Sequence, residues 1–227
     1  IGLGENGPDG LCPAALAALA SAEVVIGPPR HLALLPDLQA EPIAWPVPFA
    51  QGIERLKSLR GRQVVALASG DPFWFGAGAV IARHFTPGEW RAIPGPSVFS
   101  LVAAHLGWPL EQTLCLGLHA QPMTRLRPYL APGERAIVLL RDGSAVVGLA
   151  DYLADMGFGA SRLWVCEAMG GPRQQITEGS AEDIGGGFSH PVCVAIAMEG
   201  PAQAALPKTS GLADDLFESD GVMTKRP

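Results

Sequence analysis

The chain has 227 residues, 48% of them hydrophobic, with 16 basic against 22 acidic side chains and a formal net charge of −6. Such a content supports one large core or two smaller ones and excludes a chain that is disordered throughout. The acidic balance argues against a nucleic-acid surface as the main partner, although it is compatible with a local basic patch.

No apolar run reaches the roughly 18 residues that a membrane span requires, and the first residues lack the charged-then-apolar order of a secretion signal. A cytoplasmic protein is therefore expected. The chain opens on Ile1-Gly2-Leu3-Gly4 without an initiator methionine, so residues of the natural chain are expected upstream. Cys12, Cys115, Cys166 and Cys193 show no Cys-x-x-Cys spacing, and three of them lie in or beside strand-like runs. Buried free thiols are expected, with no metal site.

Short apolar runs alternate with alanine-rich stretches, the pattern of an α/β chain with largely parallel sheets. The run from Ile1 to Gly4 reads as the end of a strand, Pro13 to Ser21 as a helix with proline in its first turn, and Glu23 to Gly27 as a strand. Phe49 to Leu59 reads as a helix, Val64 to Ala68 as a strand, Gly78 to His84 as a helix and Trp90 to Ile93 as a strand. Val98 to Leu106 closes this half as a helix.

The pattern resets at Gly107-Trp108-Pro109. Thr113 to Gly117 and Ala136 to Leu140 read as strands, Ala145 to Met156 as a helix, Arg162 to Glu167 as a strand, Gln174 to Thr177 as a weaker one and Val192 to Met198 as the last. Two α/β domains follow, over residues 1–110 and 111–199, packed on each other. From Gly200 onward periodicity is lost, and residues 200–227 read as a linker or tail.

Two strand-ending corners carry the chemistry of the first half. Ser69-Gly70-Asp71-Pro72 stops a strand where ligands bind in open α/β sheets, with Gly70 allowing a sharp turn and Pro72 fixing the next dihedral. Asp71 either presents its carboxylate to a ligand or caps the next segment, and Gly76 and Gly78 allow close backbone approach. Pro94-Gly95-Pro96-Ser97 is the second corner, and Ser97 serves as a helix N-cap or faces a ligand. The glycines of "GLGENGPDG" form only a weak phosphate-loop signal, since no full strand precedes them and no helix starts at once. In the second half, His119 lies in a loop after a strand and Glu167 ends another before a glycine pair. Either reads as a structural group or a ligand contact. No Gly-x-Ser-x-Gly or His-Glu-x-x-His motif is present, so the chain reads as built to hold reactants rather than to attack them.

Taken together, "LASGDPFWFGAG", "IPGPSVFSLVAAHLG" and "GLGENGPDGLCPAALAALASAEVVIG" resemble the tetrapyrrole methylases, S-adenosylmethionine-dependent enzymes that methylate corrin precursors. Within that family "LWVCEAMGGPRQQITEG" and the Leu118-His119 loop resemble the branch that methylates C5 of a late precorrin, at the precorrin-6/7 stage of cobalamin biosynthesis. "LADDLFESDGVMTKR" resembles the opening of a second, decarboxylating methyltransferase domain, which implies a covalently linked C-terminal domain in the full-length chain.

The resemblance implies two α/β domains with the cofactor in the cleft between them, in a homodimer. Carried over by motif, S-adenosylmethionine would touch Leu3, then Gly70, Asp71 and Gly76, then Ser97 and Val98. From the second domain Leu140, Ala168, Pro191 and Val192 match the family's contact positions. Methyl transfer needs an electron-rich carbon in line with the sulfonium, which a reduced tetrapyrrole supplies itself, so orientation is the leading contribution. His119 and Glu167 are candidates for substrate contact or proton removal, and Arg125, Arg127, Arg141 and Arg173 for anchoring substrate carboxylates. Related C5 enzymes carry His-Gly-Arg where this chain has His119-Ala120-Gln121, which removes one arginine from the expected substrate contacts. A methylase of the same fold acting on RNA or protein stays open, as does a non-catalytic corrinoid-binding half.

Overall fold

A computed structural model describes residues 1–207. The first half alternates β1 (Gly2–Leu3), α1 (Pro13–Ala20), β2 (Val24–Gly27), α2 (Pro29–Ala33), β3 (Glu41–Ala44), α3 (Phe49–Ser58), β4 (Val64–Ala66), β5 (Ala68–Ser69) and α4 (Gly78–Ala82). Strand β2 is buried along its whole length and lies between β3 and β4, parallel to both. Its unbroken apolar run suits a strand covered on both faces. At Leu67, whose N–H donates to the Ile26 carbonyl at 2.8 Å, the chain steps from β4 into β5, and β5 pairs with β1 in parallel.

Two elements lie in the stretch between Gly27 and Phe49, to which the sequence assigned none. Helix α2 begins at Pro29, which needs no N–H in the first turn, and β3 accommodates Pro42 at the sheet edge. Conversely, the strand expected over 90–93 does not form. The Ile93 carbonyl accepts the Gly2 N–H at 2.8 Å, but Pro94 and Pro96 just after it have no N–H with which to extend a ladder.

The second half comprises α5 (Val98–Leu106), β6 (Leu114–Gly117), β7 (Arg135–Leu139), α6 (Ser144–Asp155), β8 (Arg162–Glu167), β9 (Gln175–Ser180) and β10 (Val192–Ala197). The strand order is β6-β7-β10-β8-β9. Only β6 and β7 run parallel; β10 is antiparallel to both neighbours, and β8 and β9 form an antiparallel pair. The expected largely parallel arrangement therefore holds for the first half and not for the second. The β8–β9 pair is antiparallel because its connection returns through a turn without the helix that a parallel crossover needs.

Alternation along β10 sorts two cores. Val192, Val194 and Ile196 meet Val146, Leu149 and Leu153 of α6, whereas Cys193 and Ala195 face Phe99, Val102 and Ala103 of α5. Helix α5, grouped by the sequence with residues 1–110, thus covers the second sheet and carries its first turn to the junction of the halves. The four cysteines are free; Cys166 and Cys193 are buried and Cys115 half-buried, but Cys12 is exposed at the start of α1, contrary to expectation. Residues 202–204 form one 3-10 turn, and the expected tail from residue 208 onward lies outside the described residues. Among the described residues no helix is long and apolar enough to cross a membrane.

Helix α2 seats His31, only 2% exposed, with Nε2 at 2.8 Å from an Arg30 guanidinium nitrogen and 3.0 Å from Ser69 Oγ. Burial, and then the Arg30 charge, lower its pKa from 6.5 to about 4. The unfolded chain therefore binds the extra proton first. Stability present above about pH 6.5 is lost as pH falls toward 4, by about 1.4 kcal/mol per pH unit from this group. Denaturant melts at several pH values should show this loss in the parent chain and a shallower one in His31→Gln; equal slopes would contradict the assignment. Leu149 is fully buried between α6 and the second sheet, and Leu149→Ala should cost about 2 to 5 kcal/mol in the same melts.

Candidate functional site

Parallel pairing points the C-terminal ends of β1, β2, β4 and β5 the same way, and the loops leaving them open onto a cleft of about 490 Å³ against the second half. Leu3, Gly70, Asp71 and Gly76 line it from the first half, Ser97 and Val98 from the start of α5, and Leu140, Pro191 and Val192 from the second half. Ala168 lies just behind, its N–H donating to the Pro191 carbonyl at 2.9 Å. It has a φ of 44°, a strained value for a residue with a side chain.

The corners are laced together by main chain. Gly70 donates to the Leu3 carbonyl at 3.0 Å, and Gly95 donates to the Gly70 carbonyl at 3.0 Å. Gly70 has φ +54°, and a Cβ there would stand 3.0 Å from both the Pro96 carbonyl oxygen and Ser97 Cα. No side chain fits that corner comfortably, so backbone forms this wall. Asp71 turns its own loop, Oδ1 accepting the Phe73 N–H at 2.8 Å. Ser97 acts as the N-cap of α5, its Oγ accepting the Ser100 N–H at 3.1 Å.

Aromatic side chains close one side. Phe75, at φ 58° and 48% exposed, lines the cleft; its ring lies 5.9 Å from that of Phe99 and fills the space a side chain at Gly117 would take. A bulky residue in the left-handed region costs on the order of 1 to 2 kcal/mol, and such strain concentrates at ligand sites. Beside it His119 is exposed in the loop after β6 and also lines the cleft.

The remaining candidates are placed differently. Glu167 is buried outside the lining, where Oε1 accepts the Ser189 N–H at 2.6 Å and holds the loop leading to Pro191. Of the four arginines, Arg141 alone lines the cleft, exposed and paired with Asp142 at 2.9 Å. Arg125 and Arg127 sit on the 3-10 segment Met123–Tyr129, and Arg173 pairs with Glu5 at 3.2 Å.

That last pair belongs to a cluster the sequence reading missed. Glu5, 9% exposed, also holds the Arg30 guanidinium, which contacts His31 and Ser69 in turn. Glu5, Arg30 and His31 all line the cleft. The overlooked signal is Gly27-Pro28-Pro29 directly after β2, a third corner of the kind recognised at Gly70 and Gly95. Glu5 itself lies in the glycine-rich loop set aside as a weak phosphate motif.

The family model for Tetrapyrrole (Corrin/Porphyrin) Methylases matches residues 1–185. A precorrin-6Y C(5,15)-methyltransferase (decarboxylating) from Sinorhizobium sp is 41% identical over 229 residues, covering 100% of this chain and 55% of the relative. The chain thus spans about half the length of that relative. A cobalt-precorrin-7 C(5)-methyltransferase from Salmonella typhimurium is 33% identical over 121 residues, 53% of this chain and 60% of the relative. The solved structure of uroporphyrin-III C-methyl transferase from Thermus thermophilus, complexed with S-adenosyl homocysteine, matches with a TM-score of 0.68 at 21% identity, covering 86% of this chain and 94% of that one. At that identity the likeness concerns the fold alone. With the family model matching residues 1–185, well over half of the chain, the chain belongs to the tetrapyrrole (corrin/porphyrin) methylases.

Proposed function

We propose that this chain is an S-adenosylmethionine-dependent C-methyltransferase acting on C5 of a late precorrin, at the precorrin-6/7 stage of cobalamin biosynthesis. The observation that carries this reading is a contrast in length. The relative named for both C5 and C15 is nearly twice as long as this chain, whereas a relative named for C5 alone also aligns with it. The C15 and decarboxylation chemistry then belongs to a covalently linked C-terminal domain. A homodimer in the cytoplasm completes the proposal.

The residues present fit the cofactor. A cleft of about 490 Å³ lies within the range of roughly 300 to 1,000 Å³ common for small-molecule sites, and its Gly70 corner has no room for a side chain that would keep a ligand from the backbone. Leu3, Gly70, Asp71, Gly76, Ser97 and Val98 would hold it from one side, Leu140, Pro191 and Val192 from the other, with Ala168 supporting the last two. When bound, S-adenosylmethionine supplies an electrophilic methyl group and ends as S-adenosyl-L-homocysteine.

The protein's own part is placement. Holding two reactants in line accounts for about 7 to 11 kcal/mol of barrier lowering, which requires no protein nucleophile. Asp71 favours a cation in the ground state, a binding role and not a catalytic one, because the charge it attracts disappears in the transition state. His119, exposed in the cleft, would take a proton from the methylated ring, and Glu167 would act by positioning the loop before Pro191. Arg141, with Arg125, Arg127 and Arg173 farther out, would meet substrate carboxylates.

Titration calorimetry should show S-adenosyl-L-homocysteine binding to the wild-type chain, and Gly70→Val should weaken it by about tenfold or more, since a β-branched residue resists φ > 0. No heat with the wild-type chain would overturn the reading, including its separation from a passive corrinoid binder. In a methylation assay with a late precorrin, His119→Ala should lower kcat by about a hundredfold while leaving cofactor affinity unchanged. An unaltered kcat would remove His119 from the chemistry, and methylation of RNA or protein in place of the precorrin would favour the other same-fold reading.

A further inference from the structure

We propose that Arg30 binds a carboxylate of the tetrapyrrole, forming an anion site on the first-half wall of the cleft. This inference rests on the tetrapyrrole reading above and extends it to a residue outside the four arginines considered so far.

Three observations support the site. Arg30 lines the cleft and keeps 29% of its side chain exposed, so it is held yet reachable. Its guanidinium is fixed on two sides: Glu5 Oε1 takes one terminal nitrogen, while the other lies 2.8 Å from His31 Nε2 and 3.3 Å from Ser69 Oγ. A guanidinium fixed in this way holds its positive charge at the cleft with little rotamer entropy left to lose.

Charge is the third. Arg30 and Arg173 share the single carboxylate of Glu5, so two cations face one anion. His31 adds no charge near neutral pH, because burial and the Arg30 cation keep it unprotonated. With its Nε2 lone pair turned to Arg30, the ring carries its proton on Nδ1, which is buried without a partner. One positive charge is left over at the cleft edge of a chain whose net charge is −6. A carboxylate from the ligand would complete an alternating row of arginine and carboxylate. S-adenosylmethionine also carries a carboxylate, but beside its own ammonium group, whereas a corrin precursor bears several unneutralised ones around its rim. The excess charge and the partial exposure favour the latter.

The test compares two ligands on the same chain. For Arg30→Met, binding of the metal-free corrin polycarboxylate hydrogenobyrinic acid, followed by its visible absorbance, should weaken by about tenfold or more, as loss of a charged hydrogen bond predicts. Affinity for S-adenosyl-L-homocysteine should stay within about twofold of the parent chain, and the salt dependence of corrin binding should flatten. Arg30→Lys, which keeps the charge but not the contacts that fix it, should fall between the two and controls for folding, monitored by thermal melts. Unchanged corrin affinity in Arg30→Met, or an equal loss of both ligands, would overturn the assignment alone. If the wild-type chain binds S-adenosyl-L-homocysteine but no corrin, the tetrapyrrole reading falls and this site with it.

Discussion

The site depends on the close approach of three backbone segments: β1, the Gly70 corner and the Gly95 corner. Gly2 donates to the Ile93 carbonyl, Gly70 to Leu3 and Gly95 to Gly70, at 2.8 to 3.0 Å. A Cβ at Gly2 would sit 1.7 Å from the Gly70 carbonyl oxygen, so these loops meet only because no side chain intervenes. The lacing replaces the strand ladder that the prolines at 94 and 96 preclude, and it leaves a cleft wall made largely of main chain. Such a wall is stiff, which is what a reaction governed by orientation requires.

Much of this was legible in the sequence because it is local. Apolar runs such as Val24 to Gly27 read directly as buried strands, and the turn chemistry around Gly70 and Ser97 marks them as corners without reference to pairing. The direction of pairing was not legible. Nothing within Val192 to Ala197 says that it slots antiparallel between β7 and β8, since alternation looks the same for either direction. Helix α2 and strand β3 were hidden by prolines that a first helical turn and an edge strand tolerate.

The polar cluster was illegible for a different reason. Glu5 and Arg173 are 168 positions apart, and a carboxylate with two arginines becomes visible only when β2, the first loop and the turn after β8 converge. The arginines expected to anchor substrate lie around the second-half loops, yet Arg125 and Arg127 lie away from the cleft lining. Clustering along the chain is a poor guide to clustering in space, and the first half supplies the better-held guanidinium. The cleft is accordingly lopsided, with main chain on one wall, aromatic rings on another and the Glu5–Arg30–His31 cluster on the first-half side.

The most direct test of this account is a crystal structure of the chain with S-adenosyl-L-homocysteine. The account predicts the ligand between the halves, hydrogen-bonded chiefly to main-chain atoms around Gly70, Ser97 and Pro191. A ligand seated elsewhere, or held there mainly by charged side chains while these backbone groups face away, would contradict it.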